Sequence, residues 1–155
     1  MKVVCIIQAR LDSTRLPQKV LADLCGHPMI WHVVHRSLEI PGVEEVVLSV
    51  PVGQSLELIA AVDHEVGVIE GPHPDLLLAY DQIATSLGAG LVMRLTGDCP
   101  LLDPLLCGTV LAAMPGTHLD YVADVGPGSD YPDGLDCEVF TREVLAEAAR
   151  MAWTF

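Results

Sequence analysis

Side chains able to do chemistry first appear in one short loop. "QARLDSTRLPQK", residues 8–19, places Arg10, Arg15 and Lys19 close together. The chain has 8 Lys plus Arg against 21 Asp plus Glu, so this loop holds three of its eight cations. The preceding run, "KVVCIIQ" at 2–8, reads as a buried strand. In an open parallel sheet, ligands bind beyond the carboxyl ends of the strands, where such a loop lies. The loop has no glycine, so it is neither a G-x-x-x-x-G-K-[ST] phosphate loop nor a G-x-G-x-x-G fingerprint. Anion binding must come from side chains: two guanidinium forks, one ammonium, and the hydroxyls of Ser13 and Thr14. That set suits a triphosphate better than a single carboxylate. The competing reading is a solvated loop with scattered cations, which the acidity of the rest of the chain disfavours.

Two acidic features follow. Asp98 comes directly after the apolar run "LVMRLTG", at a strand's carboxyl end and on the same side as the cationic loop. Gly97 permits close backbone approach and Pro100 restricts the turn. A carboxylate there can bind Mg²⁺, which takes one or two carboxylates together with phosphate oxygens. It can equally cap its own turn. Between 120 and 138 lie Asp120, Asp124, Asp130, Asp133, Asp136 and Glu138, with no Lys or Arg. Such a stretch does not suit phosphate. It suits sugar hydroxyls, an amine or a metal, or it is an acidic surface loop. Asp136 and Glu138, two apart in an expected strand, would share a face.

The elements that position these groups alternate. Strands are expected at 2–8, 43–50, 66–71 and 91–97, and within "LDYVAD" (119–124) and "CEVF" (137–140). Helices are expected at 28–39, 55–67, 74–90, 103–116 and 141–153. Pro28 and Asp75 suit first turns, Asp103 a cap before Pro104, and Thr141 a cap of the last helix. The alternation predicts an α/β fold of three layers, with a mainly parallel sheet and helices on both faces.

Bulk properties agree with one domain over 1–155. The composition is 51% apolar, outside the disordered class. A chain of this size buries roughly 68–70% of its unfolded surface, so it needs no staple. The formal net charge of −13 argues against nucleic acid or an anionic membrane as partner. Cys5, Cys25, Cys99, Cys107 and Cys137 contain no C-x-x-C pair and read as reduced thiols of a cytoplasmic protein. No signal peptide or membrane span is expected. His32 and His35 read as solvated and Trp31 as packing. Cys99 lacks a base to activate it, and His64 and His73 lack ligand spacing.

"IIQARLDSTRLPQKVL", "GHPMIWHVVHRSL", "RLTGDCPLLDP" and "YPDGLDCEVF" together resemble the sugar cytidylyltransferases. The resemblance is to the spore coat polysaccharide biosynthesis protein F branch, with 3-deoxy-manno-octulosonate and acylneuraminate cytidylyltransferases more distant. It implies a Rossmann-like nucleotide-diphospho-sugar transferase fold. It also implies Mg²⁺-dependent transfer of CMP from CTP to a sugar acid or sugar phosphate for surface polysaccharide. The implied nucleotide site is Gln8, Ala9, Arg10, Ser13, Thr14, Arg15 and Lys19. Arg10, Lys19 and Asp98 are the implied catalytic groups, Asp98 the metal ligand, and Asp133, Asp136 and Glu138 the sugar pocket. A homodimer is an expected state, with apolar "MAWTF" (151–155) as one interface candidate.

The chain departs from that pattern in places. Asp12 and Gln18 stand where the usual loop has glycines, and Leu78 and Ala79 stand where a charged pair is usual. Family members run on past residue 155 into a segment that supplies a second metal-binding aspartate. This chain is therefore expected to lack the C-terminal part. The alternative expectations are a non-catalytic nucleotide-binding module, an incomplete domain needing a partner chain, or a purely structural domain.

Overall fold

Along residues 3–7 the side chains alternate between two separate cores. Val3, Cys5 and Ile7 enter one, and Val4 and Ile6 enter the other. A strand apolar on both faces belongs at the centre of a covered sheet. The computed structural model describes residues 1–126 and 128–152. Its strands are β1 (Val3–Gln8), β2 (Asp23–Leu24), β3 (His27–Pro28), β4 (Glu45–Pro51), β5 (Gly67–Gly71), β6 (Leu91–Thr96), β7 (Tyr121–Ala123) and β8 (Glu138–Thr141). Its helices are α1 (Met29–Leu38), α2 (Ser55–Ala61), α3 (Leu76–Ser86), α4 (Pro104–Ala112) and α5 (Arg142–Ala152). The main sheet runs β5-β4-β1-β6-β8-β7, while β2 and β3 form a separate ribbon. β5, β4, β1 and β6 are parallel, and β8 and β7 continue the sheet in antiparallel pairings.

Helices α1, α2 and α4 pack on the face of Val3, Cys5 and Ile7. Helices α3 and α5 pack on the face of Val4 and Ile6. The chain steps outward from β1 to β4 to β5, then returns through α3 to β6 on the other side of β1. That reversal is a topological switch point, and it opens a crevice between the carboxyl ends of β1 and β6. The expected three-layer, mainly parallel α/β fold is observed. No helix among the described residues is long and apolar enough to cross a membrane.

Element ends differ from expectation for local reasons. Pro28 pairs with Asp23 in the ribbon and precedes α1 instead of entering it. Helix α2 stops at Ala61, and Asp63 and His64 then take left-handed backbone with φ of 51° and 61°. Asp103 caps α4 by accepting from the Leu105 amide at 2.8 Å, with Pro104 first in the helix. Thr141 Oγ1 accepts from the Val144 amide at 3.2 Å at the start of α5. Of "MAWTF", Trp153, Thr154 and Phe155 lie outside the described residues.

The loop after β1 is closed by one backbone bond and one side-chain bond. The Gln18 amide donates to the Leu11 carbonyl at 2.8 Å, and the Leu11 amide donates to Gln54 Oε1 at 2.7 Å. A 3₁₀ turn at Lys19–Leu21 follows. Gln18, at a position where the resemblance has glycine, sits in the left-handed region with φ 54° and ψ 26°. That conformation costs an L-residue about 1–2 kcal/mol. Glycine removes the cost but adds unfolded-state entropy of about 0.5–1 kcal/mol. We therefore expect Gln18→Gly to leave stability equal or higher by up to about 1 kcal/mol, and Gln18→Val to lower it by about 1–2 kcal/mol. Urea unfolding reads the contrast, and equal midpoints for the two variants would contradict it.

Candidate active site

The crevice between β1 and β6 is a cleft of about 280 Å³. Gln8, Ala9 and Arg10 line it where β1 ends, and Ser13, Thr14, Arg15 and Lys19 line it from the loop. Arg94, Thr96, Gly97 and Asp98 line the facing side, with Leu76 from the first turn of α3. The two sides are held in register. Gln8 pairs with Thr96, and the Gly97 amide donates to the Gln8 carbonyl at 2.8 Å. A Cβ at position 97 would stand 2.9 Å from that carbonyl oxygen and 3.1 Å from the Ala9 Cβ, so only glycine fits here.

Arg10, Arg15, Lys19 and Arg94 all line this cleft and make up half of the chain's eight cations. Asp98 is the acid among them and forms an ion pair with the Lys19 ammonium. Burial alone would push the Asp98 carboxyl up. The Lys19 hydrogen bond and charge, the Thr96 hydroxyl and the Asp98 amide outweigh it and hold the carboxyl below its ordinary value. Asp98 is therefore ionised at neutral pH. Among the described residues no three His, Cys, Asp or Glu side chains converge as a metal cage. A lone ionised carboxylate beside a cationic cleft fits a divalent ion that arrives bound to phosphate. Asp12 is exposed and lies outside the cleft lining.

Cys99 contacts the Thr96 hydroxyl at 2.9 Å. Burial pushes its thiol up, the Thr96 contact opposes this, and the carboxylates of Asp98, Asp136 and Asp133 push it further up. It stays a protonated thiol. The same charges mark how near the acidic stretch comes to the Asp98 turn. Asp133 and Asp136 line a hollow of about 180 Å³ with Asp124. Asp124 is buried, and its Oδ1 accepts from the Cys137 amide at 2.8 Å.

Glu138 stands apart from that hollow. Its carboxylate is ion-paired with Arg94 and accepts from the Tyr121 hydroxyl at 3.0 Å. The expected shared face of Asp136 and Glu138 does not form, because β8 begins at Glu138 and Asp136 precedes it in irregular backbone. Among the charged residues of the cleft, Arg94 is the one that sequence reading missed. A lone arginine in an otherwise apolar strand was the available signal.

Two further expectations change. His32 Nε2 lies 2.7 Å from the Leu24 carbonyl, and His35 Nε2 lies 3.3 Å from Glu65 Oε2, so neither ring is simply solvated. Trp31 packs between the His27 and His35 rings, with centroids at 3.9 and 3.7 Å. Ala79 is buried, 3.3 Å from where a Gly71 Cβ would stand. A charged side chain has no room there, and α3 meets the cleft through Leu76 instead.

Known proteins share this architecture. A cytidylyltransferase from Leptospira borgpetersenii serovar Hardjo-bovis superposes with a TM-score of 0.90 at 25% identity, covering 97% of this chain and 65% of that one. A CMP:2-keto-3-deoxy-manno-octonic acid synthetase complexed with CTP superposes with a TM-score of 0.78 at 24% identity, covering 97% and 78%, a likeness of fold. The 3-deoxy-manno-octulosonate cytidylyltransferase of Oleidesulfovibrio alaskensis is 38% identical over 102 residues, 64% of this chain and 41% of that protein. That of Geobacter sulfurreducens is 30% identical over 114 residues, 74% of this chain and 46% of that protein. The chain thus spans less than half the length of these curated relatives. The cytidylyltransferase family matches residues 4–124. A mainly parallel sheet with half of the chain's cations at the switch point, matched over that length, places this chain in the cytidylyltransferase family.

Proposed function

We propose that this chain transfers CMP from CTP to a sugar acid and releases pyrophosphate. The observation that carries the reading is the gathering of Arg10, Arg15 and Lys19 in one cleft of a protein with net charge −13. The curated relatives named above act on 3-deoxy-manno-octulosonate, which supports a sugar acid as acceptor. In this reading an acceptor oxygen attacks the α-phosphorus of CTP. The bond from that phosphorus to the α–β bridging oxygen breaks, and pyrophosphate leaves.

Arg10, Arg15 and Lys19 bind the triphosphate and offset the charge that grows on the leaving group. Gln8 and Ala9 present backbone and side chain at the β1 end, and Ser13 and Thr14 add hydroxyl donors. Lys19 turns from Asp98 to phosphate when nucleotide binds, which frees Asp98. Asp98 would then hold Mg²⁺, which supplies charge neutralisation and orientation of the phosphates. Asp133 and Asp136 accept hydrogen bonds from sugar hydroxyls. The reading extends to a cytoplasmic enzyme of the spore coat polysaccharide biosynthesis protein F branch, serving surface polysaccharide, and to a homodimer.

The test is pyrophosphate release from CTP with a panel of sugar acids. Turnover with at least one acid is expected, and none with any acid would overturn the reading. Lys19→Ala and Arg10→Ala should each lower turnover on the order of 10²–10³-fold, about 3–4 kcal/mol, with the fold intact by circular dichroism. Removing divalent ions with EDTA should abolish turnover, and added Mg²⁺ should restore it. Asp98→Asn should resist that rescue. Full activity in EDTA would contradict the role given to Asp98.

A further inference from the structure

Arg94 differs from the other cations of the cleft. Arg10 and Arg15 are exposed on the loop, whereas Arg94 is half-buried and held by an ion pair with Glu138. Its register partner on β8, Glu138, takes its guanidinium in an ion pair. The Tyr121 hydroxyl donates to Glu138 Oε1 at 3.0 Å and so orients that carboxylate. From α3 the buried Tyr80 hydroxyl lies beside the same guanidinium without completing a hydrogen bond. The Arg94 side chain keeps 35% of its surface exposed, and it lines the cleft.

A cation already offset by Glu138 adds little to the neutralisation of a triphosphate. With Nη1 on Glu138, its remaining N–H groups offer directional donors, which match a planar carboxylate. Its place in the sheet agrees. Arg94 lies on β6, between the cationic loop of β1 and the strands β8 and β7 that lead to the acidic hollow. An acceptor lying between triphosphate and hollow would lie beside Arg94. We propose that Arg94 anchors the carboxylate of the acceptor, and so selects sugar acids over neutral sugars. Glu138 acts as its positioning residue. This proposal rests on the nucleotidyl-transfer reading above.

The experiment compares 3-deoxy-manno-octulosonate with its methyl ester as acceptors, with Mg²⁺ and CTP. The native chain should prefer the acid. In Arg94→Gln, the ratio of kcat/KM for acid over ester should fall at least about tenfold, chiefly through KM, while CTP affinity by calorimetry changes less than about threefold. Arg94→Lys should recover only part of the ratio, because an ammonium lacks the fork. The double variant Arg94→Gln with Glu138→Gln removes both charges, and should show the same lost ratio without a stranded carboxylate. Weakened CTP binding with an unchanged acid-to-ester ratio would assign Arg94 to the triphosphate and overturn the proposal. Equal losses for both acceptors would also overturn it. If CTP binds but no acid turns over, the nucleotidyl-transfer reading fails separately. Calorimetry of acid and ester on the CTP-loaded chain then decides: an acid preference lost in Arg94→Gln supports the anchor, and no preference refutes it.

Discussion

The contact on which the cleft depends is the pairing of β1 with β6, closed at its carboxyl end by the Gly97 amide on the Gln8 carbonyl. These two strands part company in the chain's course, one leading outward to β4 and the other reached by the return through α3. Their adjacency brings a loop near residue 10 within reach of a turn near residue 98. Any side chain at position 97 would push the strand ends apart. The ion pair of Lys19 with Asp98 spans this joint and links the two sides of the cleft.

Charge distribution then gives the joint its chemical character. With a formal charge of −13, most of the surface repels anions. Half of the Lys and Arg residues line the cleft, with Arg10 and Arg15 exposed there and Lys19 and Arg94 ion-paired with Asp98 and Glu138. In the proposed reading a polyphosphate is repelled elsewhere and attracted here, an effect that weakens as salt shortens the Debye length. The acidic hollow beside the Asp98 turn, with Asp124, Asp133 and Asp136, provides the opposite chemistry. It disfavours phosphate and offers acceptors to hydroxyl groups. Arg94 and Glu138, neutral as a pair, stand between the two regions.

Much of this was legible in the sequence, because it was local. The alternation of apolar runs and helical spacing predicted each strand of the main sheet and all five helices. The residues of "QARLDSTRLPQK" announced the cations, and the strand before "GDCP" placed Asp98 on their side. What was not legible depended on pairing across distance. Arg94 and Glu138 are 44 residues apart, and nothing in either segment shows that they meet. The His27, Trp31 and His35 stack needed the geometry of α1, and the partners of His32 and His35 came from other segments. The glycine-like demand at Gln18 is a backbone property that its side chain conceals. The assumption that Asp136 and Glu138 share a strand failed because the strand starts at Glu138 and leaves Asp136 outside it.

The central claim is that a nucleotide triphosphate sits on the switch-point cleft, held by the loop after β1. The most direct measurement is a ¹H–¹⁵N correlation spectrum of the chain titrated with CTP and Mg²⁺. The expected result is saturable shifts in the amides of residues 8–16, 18–20 and 94–98, with little change elsewhere. Shifts confined to the apolar groove of about 590 Å³ at the opposite pole, lined by Val3, Leu91 and Leu111, would contradict the account. So would a spectrum that CTP leaves unchanged.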